Sequence, residues 1–177
     1  MPVATYSRPE AGEYPAYFDA YLAQVSEPDP IAVMTAQLDE ITRFFSVLPR
    51  DRADFAYAPG KWTVKEVIGH LSDTERVMAY RALRFARGDG DLSLHGFDEN
   101  AWVPPARFGT RSLGSLVEEW VSVRRATLAL FDSLPAEARG ATGIANGRPL
   151  SVRTVAFMLP GHVRHHLGVI RERYLAP

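Results

Sequence analysis

The sequence predicts an all-α fold in which four helices pack as a bundle. Four segments of the 177-residue chain carry apolar residues at spacings of three and four, the period of an amphipathic helix. Helix caps and turn residues separate these segments, and no segment shows the pattern expected of a strand. The length suits one domain with a sizeable core, so residues 1–177 are expected to form a single domain.

The N-terminal segment, residues 1–30, is rich in proline and is predicted to be an arm. One short helix, formed around residues 14–21, is expected to pack its aromatic side chains across the bundle. The first bundle helix is predicted over residues 31–48, with Asp29 as its cap and Pro30 in its first turn.

The second bundle helix is predicted over residues 63–87. Thr63 and Glu66 match a capping box at its start, and Gly88 follows its end. Residues 88–111 then form a long connection without sustained helical periodicity. Such a length inside a compact domain suggests either a crossover between parallel helices or a lid.

The third and fourth bundle helices are predicted in the last part of the chain. Ser112 opens the third helix, which ends before Pro135, and Ser151 opens the fourth, which continues almost to the C-terminus. Between them, Asn146-Gly147 indicates a small hairpin or a loop. The residues of the third helix that are expected to be buried are Leu113, Leu116, Val117, Trp120, Val123, Leu128 and Phe131.

The fourth predicted helix carries two histidines, His162 and His166, about one turn apart on its apolar face. This spacing is typical of metal ligands, and a metal site needs at least one further ligand from another segment. His70, on the shoulder of the second helix's apolar stripe, is the candidate. Three imidazoles leave coordination positions open, as in catalytic metal centres, and they suit several divalent metals. The alternative is that these are core histidines satisfied by hydrogen bonds.

Other polar residues close to these histidines are candidates for binding or for structure. His165 falls at the margin of the inward face, where it is better placed to touch a neighbouring segment than to share a metal. Asp73 could orient a ligand or accept a proton, but a solvated carboxylate is the favoured interpretation, and Glu75 is assigned no role. The arginines of the second helix form a mainly solvated face, although Arg81 lies on the His70 flank and is the candidate for anchoring an anionic substrate.

Composition limits the function classes. The formal net charge of -1 favours neither nucleic acid nor an anionic membrane as a partner. The chain has no long apolar run and no signal-peptide pattern, so a cytoplasmic location is expected. It contains no cysteine, which excludes disulfides, thiolate ligands and a cysteine nucleophile; a thiol in the reaction would have to come from a second substrate. The metalloprotease His-Glu-x-x-His motif, the hydrolase elbow and the Walker loop are also absent.

Several short motifs occur in a specific order along nearly the whole chain. They are Ala58-Pro59-Gly60-Lys61-Trp62-Thr63, Gly69-His70-Leu71-Ser72-Asp73-Thr74-Glu75-Arg76, Tyr80-Arg81-Ala82-Leu83, Arg87-Gly88-Asp89, Gly96-Phe97-Asp98-Glu99, Gly161-His162-Val163-Arg164-His165-His166 and Glu172-Arg173-Tyr174-Leu175. In their order and separation they resemble the motifs of the DinB/YfiT-like superfamily.

This resemblance implies a four-helix bundle of up-down-down-up topology, with the long connection between the second and third helices. It also implies a divalent metal held by three histidines, which match His70, His162 and His166 by position. Zinc or nickel is expected first, with manganese or iron as alternatives. Characterised members of the superfamily include S-transferases that use bacillithiol, mycothiol or glutathione and a thiol-dependent maleylpyruvate isomerase. Others are described as metal-dependent hydrolases or damage-inducible proteins, and homodimers are common.

The leading functional hypothesis is a metal-dependent enzyme that acts on a small molecule, with a low-molecular-weight thiol as the second substrate of an S-transferase. One alternative is a metal-dependent hydrolase, in which water replaces the thiol. Another is a non-catalytic metal-binding or stress-associated protein, and a third is that the histidines bind no metal. A cleft beside the histidines would favour an enzyme, whereas closely packed side chains around them would favour a binding protein.

Overall fold

The computed structural model describes residues 6–175. Four long helices occupy the segments that the sequence predicts, and they confirm the all-α four-helix bundle. A short helix precedes them, another lies in the long connection, and a hairpin precedes the last bundle helix. The elements are α1 (Asp19–Leu22), α2 (Pro30–Ser46), α3 (Val64–Ala86), α4 (Glu99–Ala106), α5 (Leu113–Ser133), β1 (Thr142–Ala145), β2 (Arg148–Ser151) and α6 (Val152–Val169), which continues into a π-helical turn at Ile170–Tyr174.

The predicted caps begin the bundle helices. The Asp29 carboxylate accepts hydrogen bonds from two backbone N–H groups at the start of α2. Thr63 and Glu66 form a complete capping box at the start of α3, and the hydroxyl groups of Ser112 and Ser151 cap α5 and α6. Each cap satisfies N–H groups that the first turn of a helix leaves without a backbone partner. Because this role favours particular residue types, the sequence predicts where these helices begin.

The distribution of buried residues gives the direction of each helix. One apolar cluster joins the ends of α2 and α6 to the beginnings of α3 and α5, with members such as Phe45, Leu167, Val67 and Leu116. A second cluster joins the opposite ends of the same helices, with members such as Met34, Val155, Phe85 and Phe131. The helices α3 and α5 are therefore parallel to each other and antiparallel to α2 and α6, which is the predicted up-down-down-up order.

The connection between α3 and α5 is a crossover between parallel helices, which was one of the two alternatives that its length suggested. It returns the chain from the end of α3 to the beginning of the parallel helix α5, and it packs against α3 on the way. Phe108 covers Gly69 so closely that a Cβ atom at residue 69 would lie 2.5 Å from the phenylalanine ring. The helix α4 within this connection was not predicted, because residues 88–111 show no sustained helical periodicity. It forms although it contains Pro104 and Pro105.

The turn at Asn146-Gly147 belongs to a hairpin, in which β1 and β2 pair antiparallel. Both turn residues have positive φ, at 52° and 68°, as a tight hairpin turn requires. Leu94 of the crossover bridges to Ala145, so the hairpin also fixes the crossover. The expectation that the chain contains no strands was wrong, because strands of four residues are too short to show a clear alternation.

The described part of the N-terminal arm packs on the bundle. Tyr6, Phe18 and Leu22 are buried, and the hydroxyl group of Tyr6 donates to the carbonyl oxygen of Phe131 at 2.8 Å. Residues 1–5 lie outside the described part of the chain. None of the helices within residues 6–175 combines the length and the apolar character needed to span a bilayer.

The inward face of α5 is more polar than predicted. Val123 and Leu128 are only partly buried, whereas Arg124 has no exposed surface. Its guanidinium donates from Nε and Nη2 to the two carboxylate oxygens of Glu75, at 2.7 and 2.9 Å. Glu75, which sequence reasoning left without a role, is 1% exposed. This bidentate pair supplies each buried charge with its counter-charge and with hydrogen bonds.

Replacing one member of this pair is expected to destabilise the fold strongly. Glu75→Gln leaves a buried guanidinium without a counter-charge, so the free energy of unfolding should fall by about 3–5 kcal/mol. Urea denaturation followed by circular dichroism measures this change. Asp39→Asn, which removes the exposed ion pair between Asp39 and Arg43, is the control and should have almost no effect.

The double variant Glu75→Met/Arg124→Met tests the cause. Removing both charges avoids the unpaired ion, although Oε1 of the buried Gln37 loses its donor, so this variant should recover part of the stability that Glu75→Gln loses. If the double variant is less stable than Glu75→Gln, the unpaired guanidinium of Arg124 is not the main cause of the stability that Glu75→Gln loses.

Candidate metal centre

Three imidazoles converge between α3 and α6. The Nε2 atom of His162 lies 3.1 Å from Nε2 of His70 and 3.0 Å from Nε2 of His166. The candidate ligand atoms of the three residues all lie within 4.8 Å of one another. The structure thus brings together the three histidines that the sequence singled out.

The two helices determine this convergence. His162 and His166 are one turn apart on α6, so their side chains project from the same face. His70 faces them from the antiparallel helix α3. Aromatic rings surround the group: Trp62 lies 4.7 Å from His70, and Tyr21 lies 5.1 Å from His162, between ring centroids.

Burial keeps the three imidazoles neutral. Desolvation lowers the pKa of His70 to about 4. Desolvation, together with the nearby His70 and His165, lowers the pKa of His166 to about 3. Desolvation also places the pKa of His162 well below its usual value, and His166 and His70 add to this effect. A neutral imidazole keeps a nitrogen lone pair, which is the form that binds metal ions.

The donor set fits a divalent metal. Three nitrogen ligands directed at one region are the arrangement of catalytic zinc centres, in which further coordination positions stay open to water or substrate. The hydroxyl oxygen of Thr74 lies 3.4 Å from Nδ1 of His70, on the side of the ring away from His162. Such a contact at the second ring nitrogen orients a ligating histidine.

The histidines border an open cleft. Its volume is about 350 Å³, and His70, His162 and His166 all line it. The walls are largely aromatic, and the polar side chains that line them are Thr74, Arg81, Glu99 and Asn146. The cluster is therefore accessible to a small molecule, which is the feature expected of an enzyme rather than of a closed structural site.

Arg81 lies in the wall of this cleft and is only 6% exposed. Its Nη2 donates to the carbonyl oxygen of His95 at 2.9 Å, and its Nη1 contacts the sulfur of Met78 at 3.4 Å. Within residues 6–175 it forms no ion pair with a carboxylate, and burial lowers its pKa. A buried cation without a counter-charge suits an anionic ligand.

The other singled-out residues do not join the cluster. Asp73 forms an ion pair with Arg76 at 3.3 Å, and burial raises its pKa. His165 packs its ring against Tyr21, at 5.3 Å between centroids, as expected of a residue at the margin of the face.

Sequence reasoning missed the residues that complete the cleft. Trp62, Tyr21 and Asn146 line it from three segments that are distant in the sequence. The sequence does indicate that Trp62 lies near the histidines, because it immediately precedes the cap of the helix that carries His70. The other two reach the cleft only through the packing of α1 and the hairpin.

Comparisons with known proteins show the family and support the fold. The sequence pattern described as the DinB superfamily matches residues 34–170. A candidate metal-dependent hydrolase from Oceanobacillus iheyensis is 25% identical over 129 residues, which cover 70% of this chain and 71% of that protein. YfiT from Bacillus subtilis, described as a candidate metal-dependent hydrolase with an unusual four-helix-bundle topology, matches with a TM-score of 0.68 and 18% identity. The match covers 97% of this chain and 93% of the YfiT chain, and it supports the fold.

The lowered pKa values predict how the stability of the metal-free protein depends on pH. In the unfolded chain the histidines titrate near 6.5, whereas in the fold His70 titrates near 4 and His166 near 3. The unfolded state therefore binds more protons below pH 6.5, and the free energy of unfolding should fall as the pH falls from 6.5 towards 3. Each unit of pKa difference corresponds to about 1.4 kcal/mol.

Urea denaturation of chelator-treated protein at a series of pH values measures this dependence. The variant His70→Asn should show a shallower decline between pH 6.5 and 4 than the unsubstituted protein. His95→Asn, which changes an exposed histidine, is the control and should retain the full decline. Equal slopes in all three proteins would contradict the assignment.

Proposed function

The chain belongs to the DinB superfamily, and from this premise we propose that it is a divalent-metal-dependent enzyme. The observation that supports the proposal most is the convergence of three neutral imidazoles at an open cleft. His70, His162 and His166 would hold the metal. A bound divalent metal supplies Lewis-acid chemistry, which lowers the pKa of a water or thiol nucleophile at its open coordination positions.

The substrate is proposed to be a small molecule with an anionic group. Arg81 would bind that group, because its guanidinium lines the cleft and has no carboxylate partner among the described residues. Aromatic side chains such as Trp62 and Phe97 would cover the apolar part of the molecule and exclude water from the imidazoles.

The nucleophile is proposed to be a low-molecular-weight thiol, which would make the protein an S-transferase. The proposal draws on the superfamily resemblance and on the absence of cysteine from the chain, since the thiol must then come from a second substrate. Hydrolysis is the second candidate. It is favoured by the relative from Oceanobacillus iheyensis, which is described as a candidate metal-dependent hydrolase.

We propose a cytoplasmic homodimer that has no nucleic-acid or membrane partner, in line with the near-balanced charge of the chain. A metal-binding protein without catalysis is less well supported, because the cleft leaves the three imidazoles accessible.

Metal content tests the site directly. Untagged protein is expected to contain about one equivalent of a divalent metal by plasma mass spectrometry, with zinc or nickel foremost and manganese or iron as alternatives. His70→Ala removes one of three ligands and should lose most of the metal. The control His95→Ala should retain it. Protein without metal, even after incubation with zinc, nickel and manganese, would contradict the proposal.

Thiol consumption separates transfer from hydrolysis. Metal-loaded protein incubated with a chlorodinitrobenzene electrophile is expected to consume a small thiol, and chelation should abolish the reaction. Titration of the free thiol measures the rate. The variant Arg81→Gln is expected to raise KM several-fold for a carboxylate-bearing electrophile such as chlorodinitrobenzoate, but not for the neutral chlorodinitrobenzene. Absence of metal-dependent thiol consumption with both electrophiles would count against the transferase and leave hydrolysis to be tested.

A further inference from the structure

A chain of buried polar groups connects the four bundle helices next to the histidines. Arg124 of α5, which pairs with Glu75 of α3, also donates from Nη1 to Oε1 of Gln37 on α2 at 2.7 Å. Gln37 in turn donates from Nε2 to the carbonyl oxygen of Pro160 in α6 at 2.9 Å. Gln37 is buried, so both ends of its amide depend on these protein partners.

The acceptor of this last hydrogen bond lies two residues before His162. Proline has no N–H group, so α6 lacks the backbone hydrogen bond that residue 160 would donate to the preceding turn. The helix is therefore less restrained by its own backbone at this point. A side-chain donor from α2 supplies a restraint on the same turn.

The turn is also held from a second side. A Cβ atom at Gly161 would lie 2.0 Å from the carbonyl oxygen of Tyr21, so the backbone of the N-terminal segment contacts α6 where only glycine fits. The ring of Tyr21 then packs edge-on against His162. Contacts on residues 160, 161 and 162 thus fix the position of this histidine relative to α1 and α2.

His162 is the central member of the cluster. Its Nε2 atom makes both short contacts, to His70 on the facing helix and to His166 one turn later. A shift of the turn at Pro160 would change both distances at once, whereas a shift of His70 would leave the pair on α6 intact.

We propose that Gln37, oriented by Arg124, is a positioning residue of the metal centre. Gln37 touches neither the metal ligands' nitrogens nor the cleft, and it acts through the backbone of α6 on the placement of His162. The inference rests on the proposed metal site and deepens it. It assigns to the buried polar chain a role in metal binding as well as in stability.

Cobalt(II) binding tests this role, because its visible absorption reports the geometry of the ligands. Gln37→Met removes both hydrogen bonds at similar side-chain volume. It is expected to weaken cobalt affinity by about tenfold or more, the usual effect of changing a residue that supports a ligand, and to alter the absorption spectrum. Val33→Ala, one turn earlier on α2, is the control: it creates a buried cavity without touching the polar chain and should lower stability but keep the spectrum.

A second variant separates the two hydrogen bonds. The double variant Gln37→Glu/Glu75→Gln keeps one carboxylate beside Arg124, whose charge holds it ionised, but has no N–H for Pro160. Its spectrum should change as in Gln37→Met, and it decides the question if the methionine variant does not fold. Spectra and affinities like those of the unsubstituted protein in both variants would overturn the positioning role. Failure of the unsubstituted protein to bind cobalt would instead refute the metal site itself.

Discussion

The guanidinium of Arg124 carries a full charge in the centre of the bundle, where it has no contact with solvent. A charge in an apolar interior is strongly destabilising unless it meets a counter-charge and hydrogen-bond acceptors in good geometry. Glu75 provides the counter-charge from α3, and Gln37 provides a further acceptor from α2. Satisfying this one group therefore fixes the relative positions of three helices, and the amide of Gln37 extends the constraint to the fourth.

The same apolar interior gives the three histidines their chemical character. Burial disfavours the imidazolium form, so the rings stay neutral and their nitrogens remain available as ligands. Because no carboxylate belongs to this cluster within residues 6–175, a metal bound there would keep a net positive charge. In the proposed function, this positive charge would stabilise a negatively charged nucleophile.

The two buried arginines, Arg124 and Arg81, differ in whether a carboxylate neutralises their charge. Arg124 has its charge neutralised by Glu75 and faces the core. Arg81 is almost as buried, but its described hydrogen-bond acceptors are a carbonyl oxygen and a thioether, and it lines the cleft beside the imidazoles. The first arginine is neutralised within the bundle, whereas the second is the proposed binding group for an anionic ligand.

The sequence by itself determined the features that depend on local physics. Helical periodicity and the caps at Asp29, Thr63, Ser112 and Ser151 defined the bundle helices, and the spacing of His162 and His166 placed both on one face. It could not determine that Glu75 is buried or that Arg124 faces inward, because both assignments depend on which charges meet across helices. Nor could it show that α4 forms despite its prolines, or that Tyr21 and Asn146 reach the cleft. Those features follow from contacts between distant segments, and only the tertiary structure decides which polar groups find partners and which remain available to a ligand.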